Sequence, residues 1–218
     1  MPIRNSNLAK RRKTSVSKLK PLSLLVLECD AGKLQSQSLS FAQEIHTIIK
    51  HLPKKLTVEV GLINSEDDFR EILITCAEKY SSVKNIVVIG HSNRNVICVA
   101  PGFNLEWEVF ARWLMPLSPQ KIALIACEAG QFHSTRALFD ELPKLTKIYA
   151  SPFKTTKLQF RAIHLLLGYL LLTTKQDKDL IYAAQVANFW KTGGVILECT
   201  RRNPEGNQIL QFLGSILG

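Results

Sequence analysis

Short apolar runs alternate with segments of helical periodicity along most of this sequence. Runs that are apolar throughout are typical of strands buried on both faces, and the segments between them repeat apolar residues at the spacing of one helix face. Short connections between the two kinds of segment favour parallel strands linked by helices. We therefore predict a three-layer α/β sandwich with a mostly parallel sheet of about six strands and helices on both faces. The predicted strands cover 22–29, 56–63, 85–90, 121–126, 147–150 and 194–199, with a short additional strand at 96–100, and the predicted helices cover 38–52, 65–77, 105–115, 133–142, 156–173 and 178–190, with a short helix at the carboxyl end.

The composition favours one soluble domain with a basic tail. Of the 218 residues, 46% are apolar and 21% are charged, as in ordinary globular proteins. The net charge of +10 is concentrated at one end, because the first 20 residues hold seven of the 28 basic residues and none of the 18 acidic ones. We predict a disordered, solvated basic tail over 1–20. Weak contact of this tail with nucleic acid or an anionic surface, without specificity, is the alternative. One domain over 21–218 follows the tail.

The sequence predicts neither a membrane span nor a secretion signal. The longest apolar stretch, residues 162–172, is shorter than the roughly 20 residues that cross a bilayer, and the basic start is not followed by a signal-peptide pattern. The five cysteines are odd in number and form no CxxC pair, which argues against a disulfide scaffold and a zinc site. The glycines fit neither a phosphate loop nor a dinucleotide motif. We expect a cytoplasmic protein that needs no metal or cofactor.

Several strands of the predicted sheet end in polar or reactive residues. Active sites of open parallel sheets form at the carboxyl ends of the strands. If the strands before His91 and Cys127 are neighbours, their spacing is about 4.8 Å, and an imidazole and a thiol meet at one rim. A nearby imidazole activates a thiol as a nucleophile, and backbone N–H groups in the turn toward Gly130 can hold an oxyanion. The strand ends in question are Cys29-Asp30, Gly90-His91-Ser92, Cys127-Glu128-Ala129-Gly130 and Ser151.

Two of these strand ends carry short motifs. The sequence VVIGHS ends at Ser92, and ALIACEAG ends at Gly130, with a small hairpin and a helix predicted between them. This organisation resembles the caspase-fold cysteine peptidases, and in particular their bacterial CHAT-type members, over about residues 22–153. The resemblance implies that His91 is the general base and acid, that Cys127 is the nucleophile, and that the backbone N–H groups of Ser92 and Cys127 form the oxyanion hole. The family often has glycine in the place of Ser92, so we expect its side chain to crowd the substrate, and a catalytically inactive member stays an open alternative.

The same resemblance implies a specificity pocket at the ends of the first, fourth and fifth strands. Asp30 and Ser151 are expected to line this pocket and Glu128 to lie beside it, and an acidic group there favours Arg or Lys in the substrate. An alternative for Asp30 is that it caps a turn. The expected activity is cleavage of proteins or peptides after a basic residue through a thioester intermediate. Family analogy also implies that a regulatory protein partner controls the activity in trans.

Other interpretations of these residues stay open. The stretch around Ser92 partly matches the nucleophile elbow of α/β-hydrolases, although position 94 is Arg and a strand, not a helix, is predicted next. A second alternative is a caspase-like module without catalytic activity that binds a partner. His133 is a rival for the role of base. The remaining cysteines lie in patterns that are typical of core residues, namely Cys29, Cys76, Cys98 and Cys199.

Overall fold

The protein is built on two β-sheets with helices packed against them. A computed structural model describes residues 19–29, 56–154 and 194–212. Its helices are α1 (Glu66–Lys79), α2 (Trp107–Leu114) and α3 (Phe132–Glu141), and a 3-10 turn covers Met115–Leu117. Its strands are β1 (Leu22–Cys29), β2 (Val58–Ile63), β3 (Val83–Ile89), β4 (His91–Ser92), β5 (Val96–Ala100), β6 (Phe103–Glu106), β7 (Lys121–Ile125), β8 (Lys147–Ala150), β9 (Gly194–Thr200) and β10 (Asn203–Phe212).

The central sheet has seven strands in the order β10-β9-β8-β7-β3-β1-β2. The five strands from β8 to β2 are parallel, whereas β9 and β10 are added antiparallel at one edge. The predicted α/β fold with a mostly parallel sheet is confirmed. No strand is predicted over 203–212, yet this segment pairs with β9 and becomes the seventh strand. Pro204 near its start is compatible with an edge strand, where the missing N–H breaks no internal ladder. The short helix predicted at the carboxyl end stays a prediction, since residues 213–218 lie outside the described part of the chain.

The smaller sheet is an antiparallel meander of β4, β5 and β6. It occupies the connection between β3 and β7 and therefore stands directly after the carboxyl end of β3. The helix predicted from position 105 begins two residues later, at Trp107, since Leu105 and Glu106 pair with β5 and complete β6. The apolar spacing of this segment suits a helix and a strand equally, and cross-strand pairing decides between them.

The three described helices pack against the central sheet and share a hydrophobic core with it. Alternate residues of β1, β3 and β7, among them Leu25, Val88 and Leu124, are fully buried in the same cluster as the apolar faces of α1, α2 and α3. The ring of Phe69 on α1 stacks on Phe110 of α2, with ring centroids 6.0 Å apart. Burying each of these phenylalanine rings contributes about 1.5–3 kcal/mol to stability, so the strands that carry the site are firmly held.

Some sequence-based expectations lie outside the described residues. They are the basic tail over 1–18, the helices at 38–52, 156–173 and 178–190, and Asp30. The division into a tail and a domain from residue 21 stays a prediction. Within the described part of the chain, no helix has the length and apolar character needed to cross a bilayer.

Candidate active site

The ends of β3 and β7 lie side by side at one edge of the central sheet. The two strands are parallel neighbours, and Ile89 pairs with Ile125 at the last position of their ladder. The backbone N–H of Gly90 donates a hydrogen bond to the Ile125 carbonyl at 3.1 Å. His91 and Cys127 each come two residues after this last pair, so their main chains leave the sheet about one strand spacing apart. The adjacency of the two strands, on which the predicted site depends, is therefore present.

The segments beyond the ladder remain in contact through side chains. The Ser92 hydroxyl donates a hydrogen bond to the backbone carbonyl of Cys127 at 2.5 Å. The backbone N–H of Arg94 donates to a carboxylate oxygen of Glu128 at 3.3 Å. Two hydrogen bonds therefore join the segment 92–94 to the turn that follows β7. The Ser92 side chain, which was expected to crowd a substrate, is turned toward Cys127.

A tryptophan anchors the hairpin that carries His91. The Asn93 side chain accepts hydrogen bonds from the backbone N–H groups of Asn95 and Val96 and closes the predicted turn. The indole N–H of Trp107 donates to the Asn93 carbonyl at 3.2 Å. Trp107 is fully buried at the start of α2, so the position of the β4–β5 turn is tied to the hydrophobic core. No sequence pattern predicts this anchor, because it is a tertiary contact between a turn and a helix.

The turn over 127–130 rests on the loop that follows β8. The N–H of Gly130 donates to the Ser151 carbonyl at 2.8 Å, and the N–H of Glu128 donates to the Phe153 carbonyl at 3.1 Å. A Cβ atom at Gly130 would stand 2.9 Å from the Ser151 carbonyl carbon, a separation that only glycine permits. Glu128 adopts a left-handed conformation with φ at 58°, which is uncommon for a residue with a side chain.

The expected site residues differ in their exposure to solvent. His91 is exposed, and Ser92, Cys127 and Glu128 are partly exposed. Ser151 is 3% exposed, and its hydroxyl accepts a hydrogen bond from the Phe153 N–H at 3.4 Å. Ser151 thus lies at the expected strand end, with its hydroxyl in a local hydrogen bond. Its role in a specificity pocket and that of Asp30, which lies outside the described residues, stay predictions.

Three of the other four cysteines are more deeply buried than Cys127. Cys29, Cys76 and Cys199 are buried, as their sequence patterns predict, while Cys98 is partly exposed on β5. Burial raises the pKa of Cys76 to about 11 and that of Cys199 to about 12. A raised pKa leaves little thiolate at neutral pH, and thiolate is the nucleophilic form.

One rival interpretation does not fit the local structure. The nucleophile elbow at Ser92 is wrong, because such an elbow leads into a helix, whereas Ser92 ends β4 and β5 follows. His133 is the second residue of α3, with its imidazole Nε2 3.8 Å from a carboxylate oxygen of Glu108 on α2, and its role as a rival base stays a prediction. Among the described residues, no group of three His, Cys, Asp or Glu side chains is arranged to hold a metal ion.

Comparisons with known proteins agree with this architecture. Neither a protein-family model nor a curated protein sequence matches the chain. Among solved structures, it is similar to a secreted C11 cysteine protease from Bacteroides thetaiotaomicron, with a TM-score of 0.60, 8% identity, and coverage of 84% of this chain and 66% of that one. A secreted C11 cysteine protease from the same organism in complex with an irreversible peptide inhibitor gives a TM-score of 0.54 at 10% identity, with coverage of 84% of this chain and 66% of that one. An inactive zymogen C11 protease from Parabacteroides distasonis gives a TM-score of 0.52 at 11% identity, with coverage of 83% and 61%.

These similarities define the fold of the chain. C11, or clostripain-like, cysteine proteases belong to the caspase-like clan, and the chain has the caspase-like fold. It spans 61–66% of the length of these structures. The structures found are of the C11 type, so the narrower resemblance to CHAT-type members stays a prediction.

Proposed function

We propose that this protein is a cysteine endopeptidase in which His91 and Cys127 form a catalytic dyad. The observation that carries the proposal is the position of the two residues, each two positions beyond the last paired residues of adjacent parallel strands. The contact between Ser92 and Cys127 supports it, since it keeps the two segments together past the end of the sheet. The caspase-like fold adds support, because the similar solved structures are cysteine proteases.

The proposed reaction proceeds through a thioester. The Cys127 thiolate attacks the carbonyl carbon of the scissile peptide bond, and a C–S bond forms as the carbonyl oxygen becomes an oxyanion. The backbone N–H groups of Ser92 and Cys127 stabilise this oxyanion. The C–N bond then breaks, and the His91 imidazolium donates its proton to the departing amine. His91 next removes a proton from water, which attacks the thioester and releases the carboxylic acid and the thiol.

The substrate is a protein or peptide that is cleaved after a basic residue. Glu128 supplies a partly exposed carboxylate one residue from the nucleophile, and Asp30 and Ser151 follow strands on either side of the pair β3 and β7. Carboxylates favour Arg and Lys side chains through charge-assisted hydrogen bonds. Control of the activity in trans by a protein partner belongs to the same proposal, as does the cytoplasmic location.

Covalent labelling tests the proposal. A peptidyl acyloxymethyl ketone with Arg before the reactive group and a matched probe with Asp are added to the wild type, to Cys127→Ala and to His91→Ala. We expect the Arg probe to label the wild type at Cys127, with loss of labelling in Cys127→Ala and a reduction in His91→Ala. Cys98→Ser is the matched control, because this partly exposed thiol would carry label from a non-selective reaction.

Each other outcome contradicts one part of the proposal. Labelling that persists in Cys127→Ala excludes Cys127 as the nucleophile, and a preference for the Asp probe excludes the basic specificity. If neither probe reacts with the folded wild type, the result favours the alternative interpretation, a caspase-like module that binds a partner without catalytic activity.

A further inference from the structure

The Ser92 hydroxyl is bonded to the residue proposed as nucleophile. It donates to the Cys127 carbonyl at 2.5 Å, and this carbonyl belongs to the peptide group between Cys127 and Glu128. We propose that Ser92 is a positioning residue whose hydroxyl fixes this peptide group and so holds the oxyanion-hole donors in place. The proposal rests on the proposed peptidase function.

The turn after Cys127 needs such support because its backbone is strained. Glu128 has φ at 58°, and a residue with a side chain keeps this conformation only where its surroundings impose it. Three hydrogen bonds do so here. The carbonyl before Glu128 accepts from the Ser92 hydroxyl, the Glu128 N–H donates to the Phe153 carbonyl at 3.1 Å, and the Glu128 carboxylate accepts from the Arg94 N–H at 3.3 Å.

The Ser92 bond joins the two segments that carry the proposed oxyanion hole. One donor is the N–H of Ser92 at the end of β4, and the other is the N–H of Cys127 after β7. The paired residues end before both of them, at Ile89 and Ile125, and one further backbone bond joins the Gly90 N–H to the Ile125 carbonyl, so the ladder alone does not fix the orientation of the two donors. Donors of this kind act on the charge that develops in the transition state, so their displacement lowers kcat more than it changes substrate binding.

Substitution of Ser92 separates this role from a general structural one. Ser92→Ala removes the hydroxyl, whereas Ser92→Thr keeps it on a residue that suits a strand. With an Arg-containing peptide substrate, we expect kcat of Ser92→Ala to fall about tenfold, the effect of one lost hydrogen bond near the reacting groups, with KM changed less than about twofold. Ser92→Thr recovers most of kcat. Ser81→Ala, at an exposed serine before β3, is the matched control and keeps the wild-type value.

Two reagents identify the step that is affected. A peptide aldehyde with Arg forms a thiohemiacetal whose oxygen uses the oxyanion hole, so its affinity falls in Ser92→Ala by about the same factor as kcat. Iodoacetamide alkylates the thiol by displacing iodide and needs no oxyanion hole, so the alkylation rate of Cys127 stays at the wild-type value. If the alkylation rate of Cys127 falls as much as the aldehyde affinity does, or if kcat of Ser92→Ala is unchanged, the positioning role is overturned.

A measurement without substrate keeps the two proposals distinguishable. Amide hydrogen exchange of the peptide that contains 127–130 is expected to be faster in Ser92→Ala than in Ser92→Thr or the wild type. Equal exchange in all three overturns the role of the hydroxyl whether or not the protein is a peptidase. Hydrolysis that survives in Cys127→Ala, by contrast, refutes the proposed function and leaves the exchange result valid.

Discussion

Replacement of Gly130 by alanine is expected to disturb both the stability of the protein and its site. A Cβ atom at this position would stand 2.9 Å from the carbonyl carbon of Ser151, 3.0 Å from the nitrogen of Pro152 and 3.1 Å from the Ser151 oxygen. Ordinary contacts of a Cβ atom begin near 3.4 Å. All three neighbours are backbone atoms, so no side chain can rotate to make room. The turn over 127–130 and the loop after β8 must therefore move apart by about 0.5 Å.

The cost of this movement has two parts. Overpacking of a well-packed region typically costs 1–3 kcal/mol. The separation also stretches the hydrogen bond from the Gly130 N–H to the Ser151 carbonyl, now 2.8 Å long, and its loss costs about 1 kcal/mol. We expect Gly130→Ala to lower the free energy of unfolding by about 2–4 kcal/mol. For a chain of this size, 1 kcal/mol shifts the midpoint of thermal unfolding by about 2–4 °C, so the expected shift is about 4–16 °C.

Urea and thermal unfolding measure this effect, and peptide hydrolysis at a temperature where both proteins are folded measures its consequence for the site. Gly102→Ala is the control. Gly102 has φ at +75° with no atom within 4 Å of the added Cβ, so alanine there costs about 1–2 kcal/mol through backbone conformation alone and leaves kcat unchanged. Gly130→Ala is expected to lower both stability and kcat. An unfolding free energy of Gly130→Ala within about 0.5 kcal/mol of the wild type would refute the close approach of the two backbones.

Two further predictions follow from the pKa shifts. The Lys79 ammonium, 2.6 Å from the Glu59 carboxylate, holds the pKa of Glu59 below its usual value, so the stabilisation is present at neutral pH and is lost as the pH falls through the lowered pKa. Glu59→Gln is therefore expected to cost about 0.5–1 kcal/mol at pH 7, measured by urea unfolding, and progressively less as the pH falls through the lowered pKa of Glu59; a cost that does not decline with falling pH contradicts this origin. Burial raises the pKa of Cys76 to about 11 and of Cys199 to about 12, which leaves about one thiolate in a thousand or fewer at pH 8. Iodoacetamide at pH 8 is expected to modify Cys127 in the folded protein before either of them, as peptide mass spectrometry will show, and equal rates would contradict their burial.

The parallel core of the fold could be predicted because its strands are buried on both faces. Residues such as Val87 and Leu124 stand in runs without polar interruption, a pattern that surface strands and loops do not have. The edge of the sheet could not be predicted in this way. The sequence of β10 contains Pro204, Gly206 and several polar residues and has no strand periodicity. The segment becomes a strand through its pairing with β9. That pairing is a tertiary contact, which local propensity does not encode.

Part of the candidate site could likewise be predicted from sequence, and part of it could not. His91 and Cys127 could be proposed from sequence because each follows a recognisable strand, and parallel connections place the ends of such strands at one edge of the sheet. The hydrogen bond from Ser92 to Cys127 could not be predicted from sequence, since it depends on one side-chain rotamer and on two turns that meet in space. The same holds for the bond from Arg94 to Glu128. The family comparison suggested a crowding side chain at position 92, and the hydroxyl in fact binds the neighbouring segment.

The sheet and its loops make different contributions to the geometry of this site. The ladder between β3 and β7 fixes where the two segments leave the core, because it is backed by fully buried side chains on both strands. Past Ile89 and Ile125 no strand pairing continues between these two segments, and the reacting groups lie just beyond that point. Their separation is then set by hydrogen bonds among partly exposed groups, such as that from Ser92 to Cys127. Bonds of this kind open more easily than core contacts, so loss of the Ser92 hydroxyl is expected to affect the chemistry at Cys127 more than the stability of the fold.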